Sequence, residues 1–221
     1  MMKIHPKIVP VLLITGVIAL GFAIYLFSSR SLDAEGIIKK TLQKAEKITG
    51  YHVLLEIITN QGESAGNFYA KIWFKFPDCY RVEVFSSSPG EGDSPEQIIV
   101  SDGEKSWMFN PHIGDSFELS NFISGFPPYP YSPVVFMQGL AQVQEVKLMD
   151  VEKTEEGNFY ILNVTPQSPA QRHAREMVWL ETKSFLPRQI YIFDGSNQLR
   201  QRILFHEIEL NPRLEEGIFK M

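Results

Sequence analysis

Apolar and polar positions follow two periods along this chain. Between Ser31 and Ile48 the apolar residues Leu32, Ile37 or Ile38, Leu42, Ala45 and Ile48 recur at helical spacing, and Gly50 ends the pattern. Ser31 stands as the cap, with Asp33 and Glu35 in the first turn, where carboxylates suit the positive end of a helix. From Tyr51 the period becomes two. Tyr51, Val53, Leu55 and Ile57 alternate with His52, Leu54, Glu56 and Ile58. After a turn at Gln61-Gly62-Glu63, Phe68, Ala70, Ile72, Phe74 and Phe76 share one face, and Tyr69, Lys71, Trp73 and Lys75 the other. Pro77-Asp78 interrupts, and Tyr80, Val82 and Val84 predict a third strand.

The Ser/Gly/Pro-rich stretch Ser86 to Glu96 reads as a loop. The next segment, Gln97 to Pro111, "QIIVSDGEKSWMFNP", predicts a hairpin about Asp102-Gly103, with both turn residues at positive φ. Its second strand carries Trp107 and Phe109, which either pack an ordinary core or line a wall that accepts an apolar ligand. Four prolines between Phe122 and Pro133 exclude that segment from a sheet, and a short helix is expected from about Pro133 to Gln142. Strands return at 143–153, 158–165, 175–181, 188–194 and 198–210, with turns at Gly157-Asn158 and Asp194 to Asn197. The pattern therefore predicts a mainly β fold with accessory helices: about ten antiparallel strands in one curved sheet, an unclosed, half-open β-barrel covered by helices.

One stretch belongs to neither period. Val9 to Phe27 is 19 residues without a charge, about 29 Å as a helix and close to the hydrocarbon thickness of a bilayer. Lys3 and Lys7 precede it, which places the amino terminus in the cytoplasm and the body outside. It is either a signal peptide or an uncleaved anchor. Its length and the lack of a clean small-x-small site after Phe27 favour the anchor. Residues 1–30 are thus expected to be a transmembrane segment and residues 31–221 an extracytoplasmic domain.

Charge narrows the partners. The net charge is −5, but residues 1–30 hold three basic groups and no acid, so residues 31–221 carry 18 basic against 26 acidic groups, a net of −8. An acidic body argues against nucleic acid. The single cysteine, Cys79, excludes an internal disulfide and any multi-cysteine metal site. No metal-ligand spacing joins the five histidines, and no nucleophile elbow, phosphate loop or dinucleotide turn occurs. The sequence therefore suggests no catalytic residue, metal or cofactor, and the chain is expected to bind rather than catalyse.

The aromatics carry what remains. An apolar cavity lined from Phe68, Ile72, Phe74, Phe76 and Val82, together with Trp107 and Phe109, would suit acyl chains. A lid would come from the proline-rich loop and the helix after it, through Phe126, Tyr129, Val134 and Phe136.

The order of three motifs resembles the LolA/LolB-like lipoprotein-carrier family over most of residues 35–221. They are Lys75-x-Pro77 after an aromatic strand, the V-S-D-G-x-x-x-W-x-x-N-P hairpin, and W-L-x-x-x-x-x-L-P from Trp179. The resemblance implies a half-barrel that holds acyl chains of lipids or lipoproteins beneath helices. Two departures bear on mechanism. Phe76 stands where the soluble carriers have an arginine that influences cargo release, and the carriers' extra carboxy-terminal segment is not seen after Phe219. A tethered lipid or lipoprotein binder in the cell envelope is therefore expected. The alternative is a regulatory protein like the RseB amino-terminal domain, which senses lipoproteins or docks a membrane protein partner.

Overall fold

The computed structural model describes residues 32–60, 65–119, 131–169 and 173–220. Residues 34–221 form one compact unit. The expected anchor, Val9 to Phe27, and the lid residues Phe126 and Tyr129 lie outside the described residues, among which no helix is long and apolar enough to cross a membrane.

Eleven strands make one antiparallel sheet. The first meander comprises β1 (Gly50–Thr59), β2 (Gly66–Lys75), β3 (Cys79–Phe85), β4 (Gln97–Asp102), β5 (Ser106–Asn110) and β6 (Asp115–Glu118). The second comprises β7 (Glu145–Thr154), β8 (Gly157–Thr165), β9 (Arg175–Glu181), β10 (Pro187–Phe193) and β11 (Leu199–Leu210). Pairing of β1 with β11 joins them in the order β6-β5-β4-β3-β2-β1-β11-β10-β9-β8-β7. β6 and β7 remain as free edges, so the sheet is not closed. The helices are α1 (Ala34–Ala45), α2 (Pro133–Gly139) and a 3-10 turn (Glu216–Phe219).

The period of two explains why one face of the sheet is dry. Tyr51, Val53, Leu55 and Ile57 of β1 are at most 3% exposed, and register aligns them with Phe74, Ile72, Ala70 and Phe68 of β2. The Tyr51 hydroxyl donates to Ser132 Oγ at the cap of α2 (2.8 Å), which marks this as the helix-covered face. Ile37, Thr41 and Ala45 of α1 and Val134, Phe136 and Met137 of α2 are buried in the same core. On the far side of β1, Phe205, Ile203, Ile190, Val178 and Leu162 continue it.

Three local expectations need correction. β6, sequence Asp-Ser-Phe-Glu, is an additional strand, because four mostly polar residues show no usable alternation from which to expect one. The helix α1 begins at Ala34 rather than Ser31. The hairpin turn spans Asp102 to Lys105, and only Gly103 has positive φ. Asp102 reaches the four-residue form by accepting the Glu104 and Lys105 amides on Oδ1, each at 2.9 Å.

Candidate functional site

Cross-strand register lays an apolar strip over the helix-covered face of the first meander. Val53 pairs with Ile72, Ile72 with Val82, Val82 with Ile99, Ile99 with Met108, and Met108 with Phe117. Paired residues point to the same side, so these six side chains form one row across β1 to β6. Five strand spacings of ~4.8 Å give it a length of about 24 Å. Exposure rises along the row. Val53, Ile72 and Val82 are buried, Ile99 and Met108 are partly exposed, and Phe117 is 57% exposed. The strip thus runs from the dry core to the free β6 edge, where Ile113 is also exposed.

The cover over its buried end is slight. With seven residues, α2 is too short to hold its shape alone. Pro133 in its first turn and Ser132 Oγ, which accepts the Val135 amide at 3.1 Å, start the helix, and Val134, Phe136 and Met137 are fully buried along it. The same Ser132 oxygen accepts the Tyr51 hydroxyl, so one serine joins the cap to the sheet.

Polar groups beside the strip are hydroxyls at its buried end and, towards the edge, the Gln97 amide, which donates to Met108 Sδ at 2.9 Å, with Asn110 and Asp115 on the same face. Tyr80 shares a hydrogen bond with Ser106 (2.9 Å), and Thr41 donates to the Ile37 carbonyl (2.9 Å). Burial pushes both tyrosines above the ordinary phenol range, strongly for Tyr51, while their serine partners offset part of that rise. An apolar row fringed by hydroxyl and amide groups can hold hydrocarbon. Glu176, fully buried on the same face of β9, lies 2.5 Å from His173 Nε2, well away from the row.

Register sorts the expected lining residues. Phe68, Ile72, Phe74 and Val82 share the helix-covered face, and Phe76 joins them edge-on to Phe74 at 4.9 Å. Val134 and Phe136 face the core from α2. Trp107 and Phe109 do not belong with them: they align with Val100 and Ile98, and through these with Arg81 and Glu83, on the opposite face. Met108, between the two aromatics, holds the place expected of them. Parity from β3 to β5 depends on the loop 86–96, whose geometry no turn motif dictates, so the sequence offered no count from which Ile99, Met108 and Phe117 could have been found.

The opposite, open face has its own character. Register places all three tryptophans there, Trp73, Trp107 and Trp179. Trp73 stacks on His52 (4.8 Å), and burial lowers the imidazole pKa despite the nearby Glu207 and Glu209. Across the second meander this face holds a cleft of about 770 Å³ around Trp179, Phe159 and Glu152. Among the described residues no group of three or more His, Cys, Asp or Glu is placed to hold a metal. Cys79 donates to the Asp102 carbonyl (3.2 Å), and burial raises its thiol pKa, the reverse of what an activated nucleophile needs.

The fold is similar to that of part of MucB. The crystal structure of MucB matches with a TM-score of 0.53 at 15% identity, over 87% of this chain and 64% of that one. The Pseudomonas aeruginosa MucA/MucB complex matches at 0.51 and 14% identity, over 83% and 59%. An uncharacterised conserved protein from Thermus thermophilus matches at 0.53 and 14% identity, over 83% and 91%. The chain spans about three-fifths of the length of the MucB chains. At these identities the likeness is one of fold, and at that level the LolA-like, RseB-related resemblance of the motifs is borne out. The family itself is set by sequence: residues 7–219 match the sporulation protein YdcC-like model, and the chain belongs to that family. No curated protein sequence matches it.

Proposed function

We propose that residues 31–221 are an extracytoplasmic binding module for acyl chains of lipids or lipoproteins, tethered to the membrane through residues 9–27. The apolar strip from Val53 to Phe117 carries this reading, since it continues a dry core out to a solvent-exposed edge. An acyl chain entering at Phe117 would cover Met108 and Ile99 first, then displace α2 to reach Val82 and Ile72. Each methylene buried contributes about 0.8 kcal/mol, so roughly six to eleven of them offset the exposure of Val134, Phe136 and Met137 at about 1.5–3 kcal/mol each. The family's description adds sporulation as the setting in which such handling would operate.

The test is native mass spectrometry of residues 31–221 purified without detergent, followed by lipid extraction. A lipid or acylated peptide at near-unit occupancy supports the reading. An empty protein that also refuses acyl probes overturns it. A second reading, a regulatory module that docks a membrane protein, draws on the fold shared with MucB, which has been solved with MucA. Its mark would be a stoichiometric protein partner recovered from membranes without lipid.

A further inference from the structure

The strip leaves the open face unexplained, and the cleft there has a lopsided chemistry. It crosses β7 to β11, four spacings of ~4.8 Å or about 19 Å, the reach of roughly six extended residues. Phe159 and Trp179 form its floor. The Trp179 ring is held from two sides, by its Nε1 donating to Glu152 (2.9 Å) and by Tyr191 at 4.7 Å, so it is a fixed aromatic platform.

Charge is matched at one end of the cleft and not at the other. At the β11 end, His206 occupies a bulge and pairs with Glu56 at 3.0 Å. Burial alone would raise the Glu56 pKa, but hydrogen bonds led by His206 and Asn67 outweigh it and hold the carboxylate ionised. Arg188 leans on Glu181 at 3.6 Å. At the β7–β8 end, Glu155 and Glu156 stand exposed with no ion-pair partner among the described residues, beside Glu152.

We propose that this cleft is a second binding site, for an extended cationic peptide segment. Its backbone would cross the strands, with a lysine or arginine over Trp179 between Glu155 and Glu156. A cation over an indole face gains from the ring quadrupole, and two unpaired carboxylates supply the charge that the ring lacks. The site lies on the opposite side of the sheet from the acyl strip, so neither depends on the other.

The experiment uses the full chain in neutral detergent and a fluorescein-labelled Leu-Lys-Leu-Lys-Leu-Lys peptide, read by anisotropy at about 0.15 M salt, where the screening length is ~8 Å. Saturable one-to-one binding is expected, with the glutamate version of the peptide unbound. Glu155→Gln with Glu156→Gln should weaken binding roughly five- to tenfold. Glu91→Gln with Glu104→Gln removes the same charge at exposed positions of the first meander and should leave binding unchanged. Failure to bind, or equal loss in the two double variants, overturns the proposal. Competition by a chito-oligosaccharide overturns it in favour of a glycan site. Lipid occupancy of the strip is measured separately and moves with none of these outcomes.

Discussion

Met108 and Trp107 are chain neighbours on β5 and look to opposite sides of the sheet. Met108 continues a row of aliphatic side chains that ends at an exposed phenylalanine. Trp107 sits beside Val100 on a face that mixes tryptophans with His52, Lys71, Arg81 and Glu83. The helix-covered face is mostly apolar, its buried Glu176 paired with His173, and two short helices overlie it. The open face is amphipathic and ion-paired, as Arg81 to Glu83 at 2.7 Å illustrates. Large aromatics alone therefore do not mark the apolar site. Membership in an uninterrupted apolar row does.

The comparison can be broken most forcefully at α2. Phe136→Ala should cost about 3–5 kcal/mol in chemical denaturation, because the ring is fully buried. The same change should tighten binding of a fluorescent fatty acid, since less packing is lost when α2 moves aside. Loss of stability with unchanged or weaker binding would mean that α2 does not yield to ligand. The next effect separates the chain neighbours. Met108→Glu, at a partly exposed position, should weaken acyl binding at least tenfold, about 1.4 kcal/mol, with little change in melting temperature. Trp107→Gln should do the reverse, costing stability and sparing affinity.

Smaller effects sharpen the picture. Tyr51→Phe removes the hydrogen bond to Ser132 and should cost about 1 kcal/mol. It should also speed loading of an acyl probe in stopped flow, whereas an unchanged rate would detach the cap from ligand entry. The open face should show a pH dependence of stability. Because burial lowers the His52 pKa in the folded protein, the unfolded chain binds the proton more readily. Its contribution is complete above the ordinary histidine value of about 6.5 and is lost as pH falls from there towards the folded pKa. His52→Gln should flatten that part of a denaturation series taken between about pH 7 and pH 5.

Much of the fold was legible because one face of each central strand is dry. The alternation in Tyr51 to Ile57 and Phe68 to Phe76 fixes both their strands and their inward faces. β4 breaks that rule: Val100 and Ile98 are buried on the open face and Ser101 on the other, so burial ceases to follow hydrophobicity there. The 3-10 turn at Glu216–Phe219 packs against β3 and β4 from far along the chain, a contact that no local pattern encodes. The cleft was illegible for a similar reason. Its acids lie on β7 and in the β7–β8 turn, and only pairing of β7, β8 and β9 brings them beside Trp179.

The most direct test of the central claim is to load residues 31–221 with a fatty acid bearing a photoactivatable group along its chain, irradiate, and map the cross-links by peptide mass spectrometry. Labels on Ile99, Met108 and Phe117, with Val134 or Met137 of α2, are the predicted result. Labels concentrated on Trp107, Phe109 or Trp179 would place the acyl chain on the open face and contradict the account.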